Sequence, residues 1–363
     1  MKSSPQHIPT LDGWRAVAAL GVVICHGVPK DSPLAFLRVF GVHAVFVFFA
    51  LSGLLITTRL LEEEQRNGSI DLKAFYLRRV FRILPPAFAF LGVIAFLGTI
   101  GVVQFMGLKE LLSCMFFLQN YVPPFDARTP YTTHFWSLAV EEHFYLLWPA
   151  LLVMLGSARA RKFVPWIAFA VSAWRIADKS LLILFPAEHP VFNAHRTDHV
   201  FDALLWGCYL ALALREEKIR ALLTRALKLP VFIALCGVFL VNAAKQTLFT
   251  ESIEVLVIPL MLAATVLRPT ELAGALLELR LVKWLGTLSY ALYLWQQVLF
   301  VAAFREPEML QRFPINLALL IGLAAATHYL LEEPCIQLGR RTVAWLRSTP
   351  PPKPAVAPAK IRS

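Results

Sequence analysis

Arg15 and His26 stand eleven positions apart in the first long apolar stretch of the chain, Leu11-Asp-Gly-Trp-Arg-Ala-Val-Ala-Ala-Leu-Gly-Val-Val-Ile-Cys-His-Gly27. Eleven residues make about three helical turns, so the two side chains share nearly one face, roughly 16 Å apart along the axis. Ionisable groups are costly at membrane depth, and an Arg and a His on one face of a spanning helix mark a functional site by default. Imidazole titrates near neutral pH and can accept a hydroxyl proton as a general base.

A second constellation opens a later apolar segment, His134-Phe-Trp136-Ser137-Leu-Ala-Val-Glu141-Glu142-His143-Phe-Tyr145-Leu-Leu-Trp148-Pro149. Ser137, Glu141, Tyr145 and Trp148 recur at helical spacing and form one stripe. Glu142 is expected about 100° away from it. Two adjacent glutamates inside a span require ionic partners or a polar cavity. Glu141 is expected at the depth of His26, where the two could meet; salt-bridging to Arg15 or Arg175 is the structural alternative.

The third is basic: Asp71-Leu-Lys-Ala-Phe-Tyr-Leu-Arg78-Arg79-Val-Phe-Arg82-Ile-Leu-Pro85-Pro86. On a helix, Arg78, Arg79 and Arg82 form one cationic edge. The two prolines are expected to separate this short element from the span that follows. Guanidinium forks suit phosphates arriving from the cytoplasm, while ordinary positive charge on an inner loop explains the same residues. A fourth cluster, His189, His195, Asp198, His199 and Asp202, contains i, i+4 pairs of metal-ligand type. It reads as an open loop whose polar groups are solvated or face substrate, with no metal expected. His7, His43, His134, His143 and His328 have no such partners in sequence and read as interfacial or packing residues.

The elements that must position these groups are helices in a membrane. The chain is 58% hydrophobic and 16% charged over 363 residues, with mean hydropathy +0.61, well under the charge content of soluble proteins. Ten apolar segments of spanning type fall at roughly 11–28, 39–58, 86–106, 136–155, 163–184, 199–214, 229–244, 252–267, 284–303 and 316–335. An all-α polytopic protein of about ten transmembrane helices is therefore expected. With the N-terminus inside, 24 of the 35 Lys and Arg fall on the cytoplasmic side and nine outside, Arg15 and Arg175 lying within spans. That asymmetry places both termini in the cytoplasm and explains the net charge of +11 without a nucleic-acid partner. The five cysteines form no CxxC pair, which argues against a disulfide framework or a zinc site. No cleavable signal peptide is expected, because Asp12 and Arg15 interrupt its apolar core. One membrane domain over 1–347 and a Pro/Ala-rich cytoplasmic tail over 348–363 complete the division, with no soluble domain.

Taken together, these segments resemble the membrane acyltransferase-3 family, which moves acyl groups, commonly acetyl, onto extracytoplasmic glycans. The resemblance rests on Leu11-Asp-Gly-Trp-Arg15 with His26, Phe48-Phe-Ala-Leu-Ser-Gly-Leu-Leu-Ile56, Arg79-Val-Phe-Arg82, Trp136-Ser-Leu-Ala-Val-Glu141-Glu-His-Phe-Tyr145, Leu285-Gly-Thr-Leu-Ser-Tyr290-Ala-Leu-Tyr-Leu-Trp295 and Glu332-Glu-Pro334. It implies that Arg15 and His26 belong to the essential site and that Arg79 and Arg82 serve acyl-CoA. Two positions depart from the family pattern. Gln296 stands where a histidine is frequent, and Val200 stands two residues before Asp202 where an arginine is common. The hydrolase-like domain that many relatives carry at their C-terminus is not expected here.

The expected reaction is O-acylation at the bacterial inner membrane. Acetyl-CoA serves as co-substrate, with no tightly bound cofactor, and a lipid-linked glycan or exopolysaccharide unit serves as acceptor. Arg78, Arg79 and Arg82 would take the CoA phosphates, His26 would act as general base or acyl-carrying nucleophile, and Glu141 would orient the imidazole. Arg15 would steady the CoA chain or pair with Asp12 or Glu332. Trp136, Ser137, Tyr145, Asp202 and Glu332 are candidate substrate contacts. A transporter or flippase and a non-catalytic scaffold are the rival classes, since buried charge also lines transport paths.

Overall fold

The computed structural model describes residues 8–28, 31–122, 130–185, 195–300 and 313–348. Among them the chain is helical throughout, in the order α1 (Leu11–Gly27), α2 (Phe40–Asn67), α3 (Leu72–Thr99), α4 (Leu108–Met115), α5 (Phe135–Leu184), α6 (Thr197–Ala213), α7 (Glu217–Ala226), α8 (Leu229–Lys245), α9 (Thr250–Leu267), α10 (Leu272–Leu277), α11 (Arg280–Thr287), α12 (Ser289–Phe300), α13 (Ile315–Thr327) and α14 (Glu333–Ser348). A π-helical turn, His328–Glu332, joins the last two.

Among the described residues, five helical stretches are long and apolar enough to cross a membrane, or six if α7 and α8, which meet at 82°, count as one bent span. That is fewer than ten because α1 and α6, at 17 residues each, fall short of spanning length, and α12 is described only as far as Phe300. Two of the apolar segments also share α5, which runs 50 residues and breaks at Gly156 (φ 72°, ψ 158°). Glycine adopts that positive φ without steric penalty, so the chain turns there while both halves stay helical.

α3 overturns the expected proline break. The helix runs unbroken from Leu72 through Pro85 and Pro86 to Thr99. Proline removes a donor and frees a carbonyl one turn earlier, and neighbouring helices can take up such groups in a membrane protein. The carbonyls so freed are those of Phe81 and Arg82; beside them the Tyr290 hydroxyl of α12 donates to the Ile83 carbonyl at 2.9 Å and ties α12 to α3 at this turn. At the start of α3, the Asp71 side chain accepts from the Ala74 amide at 2.9 Å and caps the helix.

α1 is flanked by α2, α11 and α12, and α6 lies between α2 and α5. α2 and α6 cross at reciprocal glycines: a Cβ at Gly53 would overlap the Leu204 carbonyl, and one at Gly207 the Ala50 carbonyl. Small residues let helix backbones approach this closely. Arg175, buried in the second half of α5, makes a bidentate pair with the fully buried Asp202 of α6, both contacts at 2.8 Å. It also donates to Ser252 on α9 at 2.9 Å.

Candidate active site

The central cavity lies where α1, α2, α3, α5 and α12 converge. Its volume is about 100 Å³, and it is lined by Arg15, Ser52, Arg79, Arg82, Ser137, Glu141, Glu142, Tyr145, Ser289, Tyr290 and Tyr293 among apolar residues. The proline-tolerant α3 brings Arg79 and Arg82 to it, one turn apart on one face. Arg15 enters from the first half of α1, with Asp12 at 3.6 Å.

Arg78 departs from the expected cationic edge. Its guanidinium turns to Glu63 on α2 at 3.3 Å and does not line the cavity. One residue along a helix is a rotation of about 100°, enough to separate it from Arg79. Arg79 lies over the Tyr145 ring, 4.8 Å from its centroid, and 5.6 Å from that of Phe75. Among the described residues, neither Arg79 nor Arg82 makes a side-chain hydrogen bond or an ion pair. Arg82 is close enough to Arg15 and to Arg79 for the like charges to repel.

Ser137, Glu141 and Tyr145 face the cavity together, as their spacing implies, while Trp148, further along α5, donates to Thr57 at 2.8 Å. Glu142 also lines the cavity, against the expectation that it points away. Glu141 accepts from the Ser52 hydroxyl at 2.6 Å, and Ser52 lies 3.2 Å from the Tyr145 hydroxyl. Trp136 is buried elsewhere, edge-on to Phe49 and stacked on His195 with centroids 4.2 Å apart.

His26 lies outside the cavity lining, and no hydrogen bond or ion pair among the described residues joins it to Glu141. Its neighbours are Gln296 of α12 and His134 at the head of α5. Between this group and the cavity, Ser137 and Tyr293 share a hydrogen bond and both face the His134 carbonyl.

The remaining candidates have other partners. Glu332 is buried and pairs with His328 at 2.9 Å, near enough to Tyr290 to act on it electrostatically. Asp202 is held by Arg175 and by Ser172 at 2.5 Å. Asp198 is held by Arg196 at 2.8 Å, and His199 faces Asp178 at 3.3 Å. Asp198, His199 and Asp202 lie in α6 rather than in an open loop; His189 and His7 lie outside the described residues. The other histidines expected to be packing residues have polar partners: His43 with the buried Glu254 at 2.7 Å, His134 with Gln297 at 3.0 Å, and His143 with Thr197 at 2.7 Å. Ser52, Glu142, Ser289, Tyr290 and Tyr293 are the cavity residues that the candidate set missed. Ser289, Tyr293 and Gln296 recur at i, i+4 and i+7, a polar stripe in an apolar helix that could have pointed to them.

A helical bundle with apolar spans and an internal cavity lined by arginine and glutamate defines a multi-pass membrane protein. Residues 8–327 match the acyltransferase-3 family, described as an acyltransferase domain, and the chain belongs to that family. It is 28% identical over 316 residues to the peptidoglycan O-acetyltransferase OatA of Listeria monocytogenes, covering 80% of this chain and 49% of that one. It is 29% identical over 378 residues to YrhL of Bacillus subtilis, provisionally named a peptidoglycan O-acetyltransferase, covering 93% of this chain and 56% of that one. A provisionally named O-acetyltransferase of Staphylococcus aureus is 26% identical over 385 residues, with 98% and 61% covered. The chain thus spans about half to three fifths of the length of these relatives. No solved structure matches it.

Proposed function

We propose that the protein transfers an acetyl group from acetyl-CoA on the cytoplasmic side to a hydroxyl of a cell-wall glycan of peptidoglycan type outside the bacterial inner membrane. The observation that carries this is the pair of unpaired guanidinium groups, Arg79 and Arg82, facing one cavity with Arg15. Half-buried guanidinium groups with no direct ion pair leave their N–H donors open to an anionic ligand even with Glu141 and Glu142 nearby, and CoA brings phosphates that suit guanidinium forks. The names of the relatives favour a peptidoglycan-type acceptor over the exopolysaccharide or lipid-linked unit suggested by the sequence.

In this reading ten spans carry the chain, both termini lie in the cytoplasm, and the arginine end of the cavity faces inward. The thioester extends past Tyr145 and Glu141 toward Ser137 and Tyr293. His26 accepts the acceptor hydroxyl proton as the oxygen attacks the thioester carbon. The C–S bond breaks, the acetyl C–O bond forms, and the proton passes from the imidazolium to the CoA thiolate. Glu141, bonded to Ser52 and attracted by Arg79 and Arg15, organises the guanidinium groups rather than the imidazole.

The test is transfer of label from radioactive acetyl-CoA to glycan by the protein in lipid nanodiscs. His26→Ala is expected to abolish transfer while CoA still binds and the protein stays folded. Wild-type-like transfer by that variant would remove His26 from the mechanism, and glycan export without acyl transfer would favour a transporter.

A further inference from the structure

Beyond the Ser137–Tyr293 layer, Nδ1 of His26, Nε2 of His134 and both amide atoms of Gln296 are buried with no well-formed hydrogen bond among the described residues, though Gln296 and the Val22 carbonyl lie close to the His26 ring. His134 is 3% exposed and Gln296 is fully buried. Gln296 is one turn past Tyr293 on α12, and His134 is one turn before Ser137 on α5, so both lie about 4.5 Å beyond the cavity's last layer. Both side chains lie near the His26 ring. Unpaired polar atoms are rare in folded interiors, and a cluster of them at one level requires an explanation.

Gln297 defines what His134 offers. Its amide is satisfied with the nitrogen toward the Pro130 carbonyl at 2.6 Å, the Tyr131 carbonyl at 3.3 Å and His134 Nδ1 at 3.0 Å, and with the oxygen accepting from Thr133 at 2.8 Å. Nδ1 of His134 is engaged on that side, which leaves Nε2 as the buried ring atom without a partner among the described residues. His134 therefore presents Nε2, Gln296 a donor and an acceptor, and His26 a ring able to take a proton. Amides and imidazoles contrast with the guanidinium groups of the cavity: they suit a neutral, hydroxyl-rich group rather than a phosphate.

We propose that His26, His134 and Gln296 form the acceptor subsite, binding adjacent hydroxyls of a saccharide, with the His134 ring oriented by Gln297 so that Nε2 faces the acceptor. This rests on the acyltransfer reading above. The Ser137–Tyr293 pair is the partition between the donor cavity and this subsite.

The test uses the full chain in nanodiscs with labelled acetyl-CoA as donor and chitotetraose as acceptor, and measures CoA binding separately. His134→Leu and Gln296→Leu are expected to raise the acceptor KM about tenfold or more while CoA affinity stays within about twofold. His134→Gln keeps a polar group near the Nε2 position and is expected to restore most of the loss, which a purely structural role would not produce. An unchanged acceptor KM in both leucine variants would overturn the proposal. So would CoA affinity that falls in step with transfer, since the residues would then serve the donor. Failure of the wild type itself to label chitotetraose would sink the cell-wall glycan reading, and the subsite with it, before any variant is made.

Discussion

Ser52 on α2 donates a 2.6 Å hydrogen bond to Glu141 on α5, 89 residues away in sequence. This bond anchors a buried carboxylate that faces Arg79 and Arg15, so it fixes the charge pattern of the cavity wall. A hydrogen bond to a charged group contributes more than one between neutral groups.

Ser52→Ala is therefore expected to lower kcat/KM about tenfold, or roughly 1.4 kcal/mol. Glu141→Gln should cost more, and the double variant should be no worse than Glu141→Gln alone, because neighbours in one network are not additive. A double-mutant cycle on acetyl transfer measures this; full additivity would show that Ser52 acts independently of Glu141.

Arg82→Ala and Arg79→Ala should each weaken CoA binding about tenfold or more, and the loss should shrink at high salt. Neither should change the affinity for pantetheine, which lacks the phosphates. Titration of both ligands separates phosphate binding from a general collapse of the cavity. Arg78→Ala, whose partner is Glu63, should leave CoA affinity close to wild type.

Asp202→Asn leaves Arg175 buried with a weakened partner, and breaking a buried ion pair typically costs about 3–5 kcal/mol. Thermal unfolding in detergent should show a large loss of stability. CoA affinity in the folded fraction should be unchanged, since Asp202 does not line the cavity. A specific loss of acceptor use without loss of stability would return Asp202 to the substrate site.

Asp71 caps α3 outside the spans. The bond from the Ala74 amide, supported by Arg347, holds its pKa below the ordinary 3.8. A depressed folded pKa contributes stability above the unfolded value and loses it as pH falls through the folded one. Asp71→Ala should cost about 1 kcal/mol near neutral pH. The difference from wild type should close as pH falls below about 3.8; unfolding followed across that range checks it.

Several features of the site were legible in the chain because they depend on spacing along a single helix. Ser137, Glu141 and Tyr145 share a face at four-residue intervals, and Arg79 and Arg82 at three, whatever packs against them. Arg78 looked like part of the same edge because neighbours on a helical net seem close until a partner such as Glu63 draws one away. Pro85 and Pro86 suggested a break because the sequence does not show the packing around α3, where Tyr290, 207 residues from Ile83, is bonded to that turn. His134 read as packing for the same reason: Gln297 and His26 come to it from α12 and α1.

The sequence by itself determined that the chain is helical and membrane-borne, which faces carry polar groups, and that Arg15, His26, Arg79, Arg82 and Glu141 are candidates for the site. Apolar content and helical periodicity are local properties and need no tertiary context. The tertiary structure decided which polar faces meet: Glu141 with Ser52, Arg175 with Asp202, His43 with Glu254, and His26 with Gln296 and His134 rather than with Glu141. In an interior of low dielectric each buried polar group needs a partner, and the choice among partners tens to hundreds of residues apart is made by how the helices cross.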